Sequence, residues 1–109
     1  MNRPTRFYSN KQEKAIAKAV GGKQVANSGA TTFSKGDVTS ENWLFEAKTK
    51  TSESQSFSIK KDWLLKNNEE AFAMGKPYSA LVFDFGDGYN YYVLDEKTFL
   101  KMKECFDNG

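Results

Sequence analysis

The amino-acid sequence predicts an α/β fold in a single domain. Helix and strand patterns follow one another in the order helix, strands, helix, strands, helix, which is typical of α/β domains. Residues 79–85 form a nearly continuous apolar run, as expected for a strand that is covered on both faces. The 109 residues of the chain suffice for one hydrophobic core and not for two.

A basic arm is predicted at residues 1–8, before a folded domain at residues 9–109. The arm contains Pro4 and shows no hydrophobic periodicity, so we expect it to be mobile until it meets a partner. Ser9 and Gln12 have the spacing of a capping box, in which the two side chains bond unpaired amides at the start of a helix.

The first helix is expected from about Asn10 to Val20, where Gly21 and Gly22 end the pattern. A short edge strand at residues 23–26 and a polar loop at residues 27–32 should follow it. The apolar stripe of this helix consists of Ala15, Ile16, Ala19 and Val20. We therefore expect the helix to bury one face.

The central strand is expected at residues 43–48, where apolar and polar side chains alternate. Side chains on a strand point to opposite faces in turn, so Leu44, Glu46 and Lys48 share one face. The other face carries Trp43, Phe45 and Ala47. Glu46 and Lys48 lie roughly 6 to 7 Å apart along such a strand. Asp37 precedes the strand and follows a glycine turn.

A second helix is expected from about Ile59 to Met74, with Gly75 as its stop. Its inward residues should be Trp63, Leu64, Ala71 and Phe72. Strands at residues 79–85 and 89–94 should then be joined by a Gly-Asp-Gly turn. Asp84 is either a satisfied polar group of the core or lies at an open edge.

The last helix is expected from about Glu96 to Phe106, with Asp95 as its N-cap. One stripe of this helix carries Phe99, Met102 and Phe106. Since an N-cap carboxylate is occupied with backbone amides, Asp95 is better explained as a cap than as part of a functional site.

The chain contains one cysteine, Cys105, and no histidine. A single cysteine excludes an intrachain disulfide and a multi-cysteine zinc cluster, and it suits a reducing cytoplasm. No apolar run reaches membrane length and the N-terminus lacks the apolar region of a signal peptide, so we expect no membrane contact. The absence of histidine excludes Ser-His-Asp hydrolases and histidine-dependent nucleases. Carboxylates, lysines and a metal are what remains for hydrolysis.

Basic residues concentrate in the first third of the chain. Residues 1–36 carry a net charge of +6 and the rest of the chain carries −4, within a total of +2. A basic surface of this kind is typical of a protein that binds a polyanion, although a solvated helix with a charged tail has the same composition. The candidate phosphate-binding residues here are Arg3, Arg6, Lys11, Lys14, Lys18 and Lys35.

Lys60 and Lys61 are further candidates for phosphate binding. They stand at the start of the second predicted helix, where cations are disfavoured unless an anion lies nearby.

Asp37, Glu46 and Lys48 are the residue types that phosphodiester hydrolysis requires. A hard divalent cation prefers carboxylate oxygens, which Asp37 and Glu46 can supply. The Lys48 ammonium can orient the attacking water or offset the charge that develops on the phosphate. The alternative is that Glu46 and Lys48 form a solvated surface ion pair, worth about 0 to 1 kcal/mol.

Two other acidic groups have to be weighed against this site. Asp95-Glu96-Lys97 repeats the acid-x-lysine pattern after an apolar strand, and we discount it because of the expected capping role of Asp95. Glu13 stands at the edge of the buried face of the first helix, where it either stabilises the helix N-terminus or reaches into the site.

Taken together, these residues resemble the PD-(D/E)XK nuclease superfamily, and most of all the Holliday junction resolvases of archaeal type and their bacteriophage relatives. The resemblance covers about residues 8–85. The matching features, in chain order, are Glu13 on a helix, Asn27-Ser28-Gly29 in a loop, Lys35-Gly36-Asp37-Val38 at a turn, Phe45-Glu46-Ala47-Lys48-Thr49 on a strand, and residues 56–64 after it.

The resemblance implies a restriction-endonuclease-like fold over residues 9–109, with a central mixed β-sheet flanked by helices. It also implies hydrolysis of DNA with Mg²⁺, for which Mn²⁺ can substitute. It implies Asp37, Glu46 and Glu13 as metal ligands, Lys48 as the group that positions water, and Ser28 as a phosphate contact. Val38 departs from the family pattern, which has a second acid there, and this leaves the number of metal ions open.

The function expected from the sequence is therefore a DNA endonuclease that cuts branched DNA in the cytoplasm, which is the host's if a phage encodes it. A nicking or flap-trimming nuclease of the same fold is an alternative, and so is a non-catalytic DNA-binding module. The resemblance also implies a homodimer, since two opposed strands are cut. Some of the aromatic residues Phe83, Phe85, Tyr89, Tyr91, Tyr92 and Phe99 should line its interface.

Overall fold

The computed structural model describes residues 5–25 and 37–109, without the side chains of residues 5–7 and 9. The helices are α1 (Thr5–Val20), α2 (Lys61–Ala73) and α3 (Glu96–Asn108), and the strands are β1 (Lys23–Gln24), β2 (Asp37–Thr39), β3 (Trp43–Lys48), β4 (Tyr78–Phe83) and β5 (Tyr91–Val93). The strands form one sheet in the order β1-β2-β3-β4-β5. Strands β3 and β4 run parallel and the other neighbours run antiparallel. The predicted α/β fold with a mixed sheet is confirmed.

Helix α1 covers one face of the sheet, which we call the α1 face. The core on this face consists of Ile16, Val38, Phe45, Ala47, Ala80 and Val82. Trp43 stacks on Phe45 with ring centroids 5.5 Å apart. The alternation predicted for residues 43–48 is therefore confirmed, with the aromatic and alanine side chains on the α1 face.

Helix α2 covers the opposite face, which we call the α2 face, above β3 and β4. The helix buries Asn67 and Ala71, and the Asn67 side-chain amide donates to the backbone oxygen of Ala80 at 3.0 Å. The expectation that Phe72 points inward is wrong, because its side chain is 86% exposed. The buried stripe is centred on Asn67 and Ala71, and Phe72 lies one residue further around the helix.

The end of α2 follows the prediction. Gly75 has φ +74° and donates its N–H to Phe72 O at 3.0 Å, while the Lys76 N–H bonds Ala71 O at 2.8 Å. This pair of bonds is a Schellman motif, which requires a left-handed residue at the position of Gly75. The predicted glycine stop is confirmed.

The start of α1 differs from the prediction. The helix begins at Thr5, so Ser9 lies inside it and the predicted capping box with Gln12 is wrong. Residues 5–8, which were expected to belong to the mobile arm, are helical. The rest of the predicted arm, at residues 1–4, lies outside the described residues, and so does the predicted polar loop at residues 27–32.

A close backbone contact holds the segment between β3 and α2 against the turn after β4. Gly86 has φ +90°, and a Cβ atom at this position would lie 2.3 Å from Ser52 O. The Ser54 N–H donates to Phe85 O at 2.8 Å. Asp84 is buried and accepts from the Gly86 N–H at 3.0 Å, so it is a satisfied polar group.

Helix α3 begins after Asp95, whose Oδ1 accepts from the Thr98 N–H at 2.8 Å. The predicted N-cap is confirmed. None of the α3 residues is buried, and the stripe of Phe99, Met102 and Phe106 is exposed. Within the described ranges, no helix has both the length and the apolar character that crossing a membrane requires.

Candidate metal centre

Asp37 and Glu46 are brought together by the pairing of β2 with β3. They are directly opposite each other in the antiparallel register, so their side chains share the α2 face. Asp37 is only 2% exposed, and Glu46 is partly buried. The structure thus juxtaposes the two principal ligands predicted from the sequence.

Glu70 on α2 adds a third carboxylate, which the sequence analysis did not identify. One carboxylate oxygen from each of Asp37, Glu46 and Glu70 lies within 4.8 Å of the other two. We call these three residues the acidic cluster. Oxygens at this separation can be bridged by one divalent cation.

One oxygen of the Asp37 carboxylate has no hydrogen-bond partner among residues 5–25 and 37–109. This oxygen, Oδ1, is buried. Burial is the main cause that raises the pKa of Asp37 from 3.8 to about 8, followed by the charges of Glu70, Glu46 and Glu13, while Lys48 opposes the shift. Burial, followed by the charge of Glu46, also raises the pKa of Glu70. The acidic cluster therefore favours the uptake of positive charge.

A divalent cation fits this requirement. Carboxylate oxygens are the ligands that Mg²⁺ and Mn²⁺ accept in proteins, and a cation would give the buried Asp37 oxygen the partner it lacks. A buried carboxylate without a hydrogen bond or counter-ion costs several kcal/mol (~2 or more) in most proteins. The donor set, its spacing and its burial are all compatible with a metal centre.

Lys48 lies at the end of β3 beside the acidic cluster. Its Nζ is 3.3 Å from Glu46 Oε2 and 4.3 Å from the centroid of the Trp63 ring. The predicted ion pair with Glu46 exists, but it is not a solvated surface pair, because the Glu46 side chain is only 12% exposed. The ammonium group is held at the rim of the cluster by one carboxylate and one ring.

Gln12 of α1 fixes the backbone where β3 ends. Its Nε2 donates to Lys48 O at 3.1 Å and to Asn90 Oδ1 at 3.2 Å, and its Oε1 accepts from Thr49 Oγ1 at 2.6 Å. Gln12 is buried, so these bonds satisfy a side chain that water does not reach freely. Its role is to hold Lys48 in place, not to cap the helix.

Glu13 lies next to this centre but outside the acidic cluster. Its Oε1 accepts from Gln24 Nε2 at 3.2 Å, and the side chain is buried. Burial raises the pKa of Glu13, and its charge contributes to the raised pKa of Asp37. Its predicted role as an accessory metal ligand stays a prediction.

The predicted phosphate-binding residues are spread over two elements. Lys11, Lys14 and Lys18 are exposed and lie on one stripe of α1. Lys60 and Lys61 are exposed at the start of α2, where the Lys60 Nζ is 5.8 Å from the centroid of the Trp63 ring. Arg6 belongs to α1, but its side chain is not described, and Arg3, Ser28 and Lys35 lie outside the described residues.

A signal for Glu70 was present in the sequence. It lies three residues after Asn67, seven after Trp63 and one before Ala71, so it falls on the sheet-facing side of α2. No comparable pattern marks Gln12, because its bonds connect three segments that are far apart in the chain.

The competing acid-x-lysine pattern is not part of the acidic cluster. Asp95 caps α3, and its hydrogen bonds with Thr98 lower the pKa of its carboxyl group. A depressed pKa is typical of a carboxylate satisfied by backbone amides. The structure thus supports the capping role of Asp95.

Comparisons of the chain with protein-family models, with curated proteins and with solved structures gave no match. Functional inference for this chain therefore depends on its residues and their geometry.

Proposed function

We propose that this protein is a metal-dependent DNA endonuclease that acts on branched DNA, with Mg²⁺ as its cofactor and Mn²⁺ as a substitute. The observation that carries the proposal is the acidic cluster, in which a buried Asp37 oxygen without a hydrogen bond among the described residues lies beside Glu46, Glu70 and the ammonium group of Lys48. A structural ion pair between Glu46 and Lys48 would require one carboxylate and not three.

The residues of the chain have distinct roles in this proposal. Asp37, Glu46 and Glu70 bind the divalent cation, which would supply Lewis-acid activation of water and of the phosphate. Lys48 orients the attacking water and offsets the negative charge that develops on the phosphate. Gln12 keeps the Lys48 backbone in place through its hydrogen bond to Lys48 O.

DNA is the substrate that best suits the charge distribution. The exposed lysines of α1, at positions 11, 14 and 18, can neutralise phosphates without reading sequence. The resemblance to Holliday junction resolvases extends the proposal to a homodimer with two sites that cut opposed strands of a junction. A two-fold axis would relate the two sites.

Metal binding is tested with a matched pair of adjacent residues on α2. Glu70→Gln should weaken Mn²⁺ binding in calorimetry and reduce the rise in melting temperature that Mg²⁺ produces, because one ligand is lost. Glu69→Gln should change neither, since Glu69 is exposed and outside the acidic cluster. Equal metal affinity in both variants would remove Glu70 from the metal centre.

Cleavage is tested with the remaining cluster residues. Asp37→Asn and Glu46→Gln should each abolish Mg²⁺-dependent cleavage and leave DNA affinity equal or higher, since repulsion of the phosphates falls. Lys48→Ala should lower the rate by orders of magnitude with metal still bound, because one positioned electrostatic group contributes about 3 to 4 kcal/mol to the transition state.

A four-way junction compared with a linear duplex of the same sequence tests the preference for branches. A wild-type chain that cuts no DNA with Mg²⁺ or Mn²⁺ would leave the non-catalytic DNA-binding module as the explanation.

A further inference from the structure

A row of aromatic rings continues from Lys48 across the α2 face of the sheet to its edge strand. We call it the aromatic strip, and it consists of Phe57, Trp63, Phe83, Phe85 and Tyr91. The ring centroids are 4.7 Å apart for Phe57 and Phe83, and 5.8 Å apart for Phe83 and Tyr91. Phe85 contacts both Phe83 and Tyr91, at 5.3 and 5.5 Å.

The aromatic strip begins at the candidate metal centre. Lys48, Phe83 and Tyr91 are successive partners across β3, β4 and β5, so they share the face that carries Asp37 and Glu46. Neighbouring strands are about 4.8 Å apart, which places Tyr91 roughly 10 Å from the β3 backbone. A DNA strand whose phosphate lies at the acidic cluster would therefore reach the strip with its adjoining nucleotides.

Three lysines place positive charge over these rings. The Nζ atom of Lys48 lies 4.3 Å and that of Lys60 5.8 Å from the Trp63 ring, and the Nζ atom of Lys50 lies 5.5 Å from the Phe57 ring. Among the ion pairs of residues 5–25 and 37–109, Lys48 has a carboxylate partner, whereas Lys50 and Lys60 have none. The strip is therefore aromatic and cationic at the same time.

The aromatic strip is also open to an incoming group. Tyr91 is 51% exposed, and Phe57, Trp63 and Phe85 are each partly exposed. Flat rings next to cations are what proteins use to bind unpaired nucleotides, because bases stack on the rings and lysines pair with the phosphates. A duplex cannot use such a surface in the same way, since its bases are stacked on one another.

We propose that the aromatic strip binds an unpaired stretch of a DNA strand next to the phosphate that is cut. The preferred substrates are then branched DNAs with an unpaired stretch next to the branch, such as a single-stranded flap or fork. This inference rests on the proposed nuclease function for the cut, while the binding of the unpaired strand does not depend on it. The geometry thus adds an unpaired DNA strand to what the proposed nuclease binds.

Binding is measured in EDTA, where no cleavage occurs, with a fluorescently labelled oligothymidine and with a labelled duplex of the same length. Wild-type protein should bind the single strand more tightly. Tyr91→Leu removes the ring but keeps an apolar side chain, and it should weaken single-strand binding about 5- to 150-fold, the amount that stacking of a base contributes. Binding of the duplex should change by less than twofold.

Tyr89→Leu is the matched control for this experiment. Tyr89 is 73% exposed and lies two residues before Tyr91, but it belongs to no ring contact among the described residues. Its replacement should leave single-strand binding unchanged. If Tyr91→Leu and Tyr89→Leu both bound the oligothymidine as wild type does, the aromatic strip would not be the binding surface.

Trp63 provides a second measurement that needs no change in the strip. In a Trp43→Phe variant, which keeps a ring stacked on Phe45, Trp63 is the single tryptophan. Its fluorescence should be quenched as oligothymidine saturates the protein, and unchanged emission at saturation would overturn the proposal. Absence of cleavage with Mg²⁺ would instead overturn the nuclease function and leave this binding result standing.

Discussion

Asp37 couples the stability of the protein to pH. Its pKa is 3.8 when unfolded and about 8 when folded, so between these values the folded state holds a proton that the unfolded state has lost. Stability should therefore fall as pH rises from about 4 to about 8, by up to about 1.4 kcal/mol per pH unit from this one group. Denaturant unfolding at several pH values, without metal, measures this slope.

Asp37→Asn supplies the control for the pH dependence. The variant should be more stable than wild type near pH 8 in EDTA and should show a shallower slope, which does not reach zero because the pKa values of Glu70 and Glu13 are also raised. Saturating Mg²⁺ should flatten the slope of the wild type, since a cation replaces the proton. Identical slopes for both proteins would show that Asp37 ionises freely.

At the level of single residues, the cluster residues that lie on strands could be predicted from the sequence. Alternation places Glu46 and Lys48 on one face, and a preceding turn places Asp37 beside them, so local rules are sufficient. Glu70 was missed because polar residues of an amphipathic helix are expected to face solvent. Glu70 departs from that rule, since it faces the sheet and joins Asp37 and Glu46 in the acidic cluster.

The exposed lysine stripe of α1 should contribute to DNA affinity through counterion release. Replacing Lys11, Lys14 and Lys18 with glutamine should reduce the slope of log affinity against log salt by about 2 to 3 for duplex DNA. The same replacement of Lys97, Lys101 and Lys103 on α3 changes the net charge equally and should leave the slope unchanged. An unaltered slope in the α1 variant would indicate that the duplex binds the lysines at the start of α2 and not those of α1.

A variant of the α3 N-cap distinguishes the competing acid-x-lysine pattern from the acidic cluster. Asp95→Asn combined with Lys97→Ala should lower the free energy of unfolding by about 1 kcal/mol, the usual contribution of a cap, and should leave cleavage intact. Chemical denaturation and a cleavage assay on the same preparation measure the two effects. An inactive double variant together with an active Asp37→Asn would show that the active site includes Asp95 and Lys97 and not Asp37.

At the level of elements, the helix ends that carry a capping residue were predicted correctly, and the start of α1 was not. Gly75 and Asp95 adopt the conformations that terminate or begin a helix, so the end of α2 and the start of α3 follow from the sequence. The start of α1 was misplaced because the spacing of Ser9 and Gln12 imitates a capping box. Gln12 is instead engaged with β3 and with Asn90, which are distant in the chain.

The outer face of α3 should form the contact between two copies of the chain. Phe99, Met102 and Phe106 are spaced as in helices that pair along one seam, and Phe106 is 89% exposed. Sedimentation at micromolar concentration should give twice the mass of the 12.3 kDa chain. Phe106→Asp should give the monomer, because a charge would be buried in the interface.

Phe72→Asp on α2 is the matched control, since Phe72 is 86% exposed and lies off this stripe. This variant should remain dimeric. A wild-type protein that sediments only as a monomer, with and without DNA, would contradict the proposal that a homodimer cuts opposed strands of a junction. It would not contradict the nuclease function.

The whole fold was predictable as a class because its strands and helices alternate with clear patterns. The orientation of α2 was not, because its sheet-facing stripe includes the buried Asn67 and the partly buried Glu70, and a pattern based on hydrophobicity rotates the helix toward Phe72. Packing against β4 and the bond from Asn67 to Ala80 O decide the rotation instead. Such contacts join residues distant in sequence, which local patterns do not encode.

The short pairing of β2 with β3 protects the acidic cluster against misassembly. If β2 slipped by one residue, every side chain of the strand would exchange faces, placing Val38 among the carboxylates and the Asp37 carboxylate in the apolar core beneath α1. Both displacements are unfavourable, since one places a carboxylate in an apolar core and the other removes Val38 from its packed position. Asp37 points to the acidic cluster and Val38 points to the core. Both side chains therefore disfavour the shifted alignment while the chain folds.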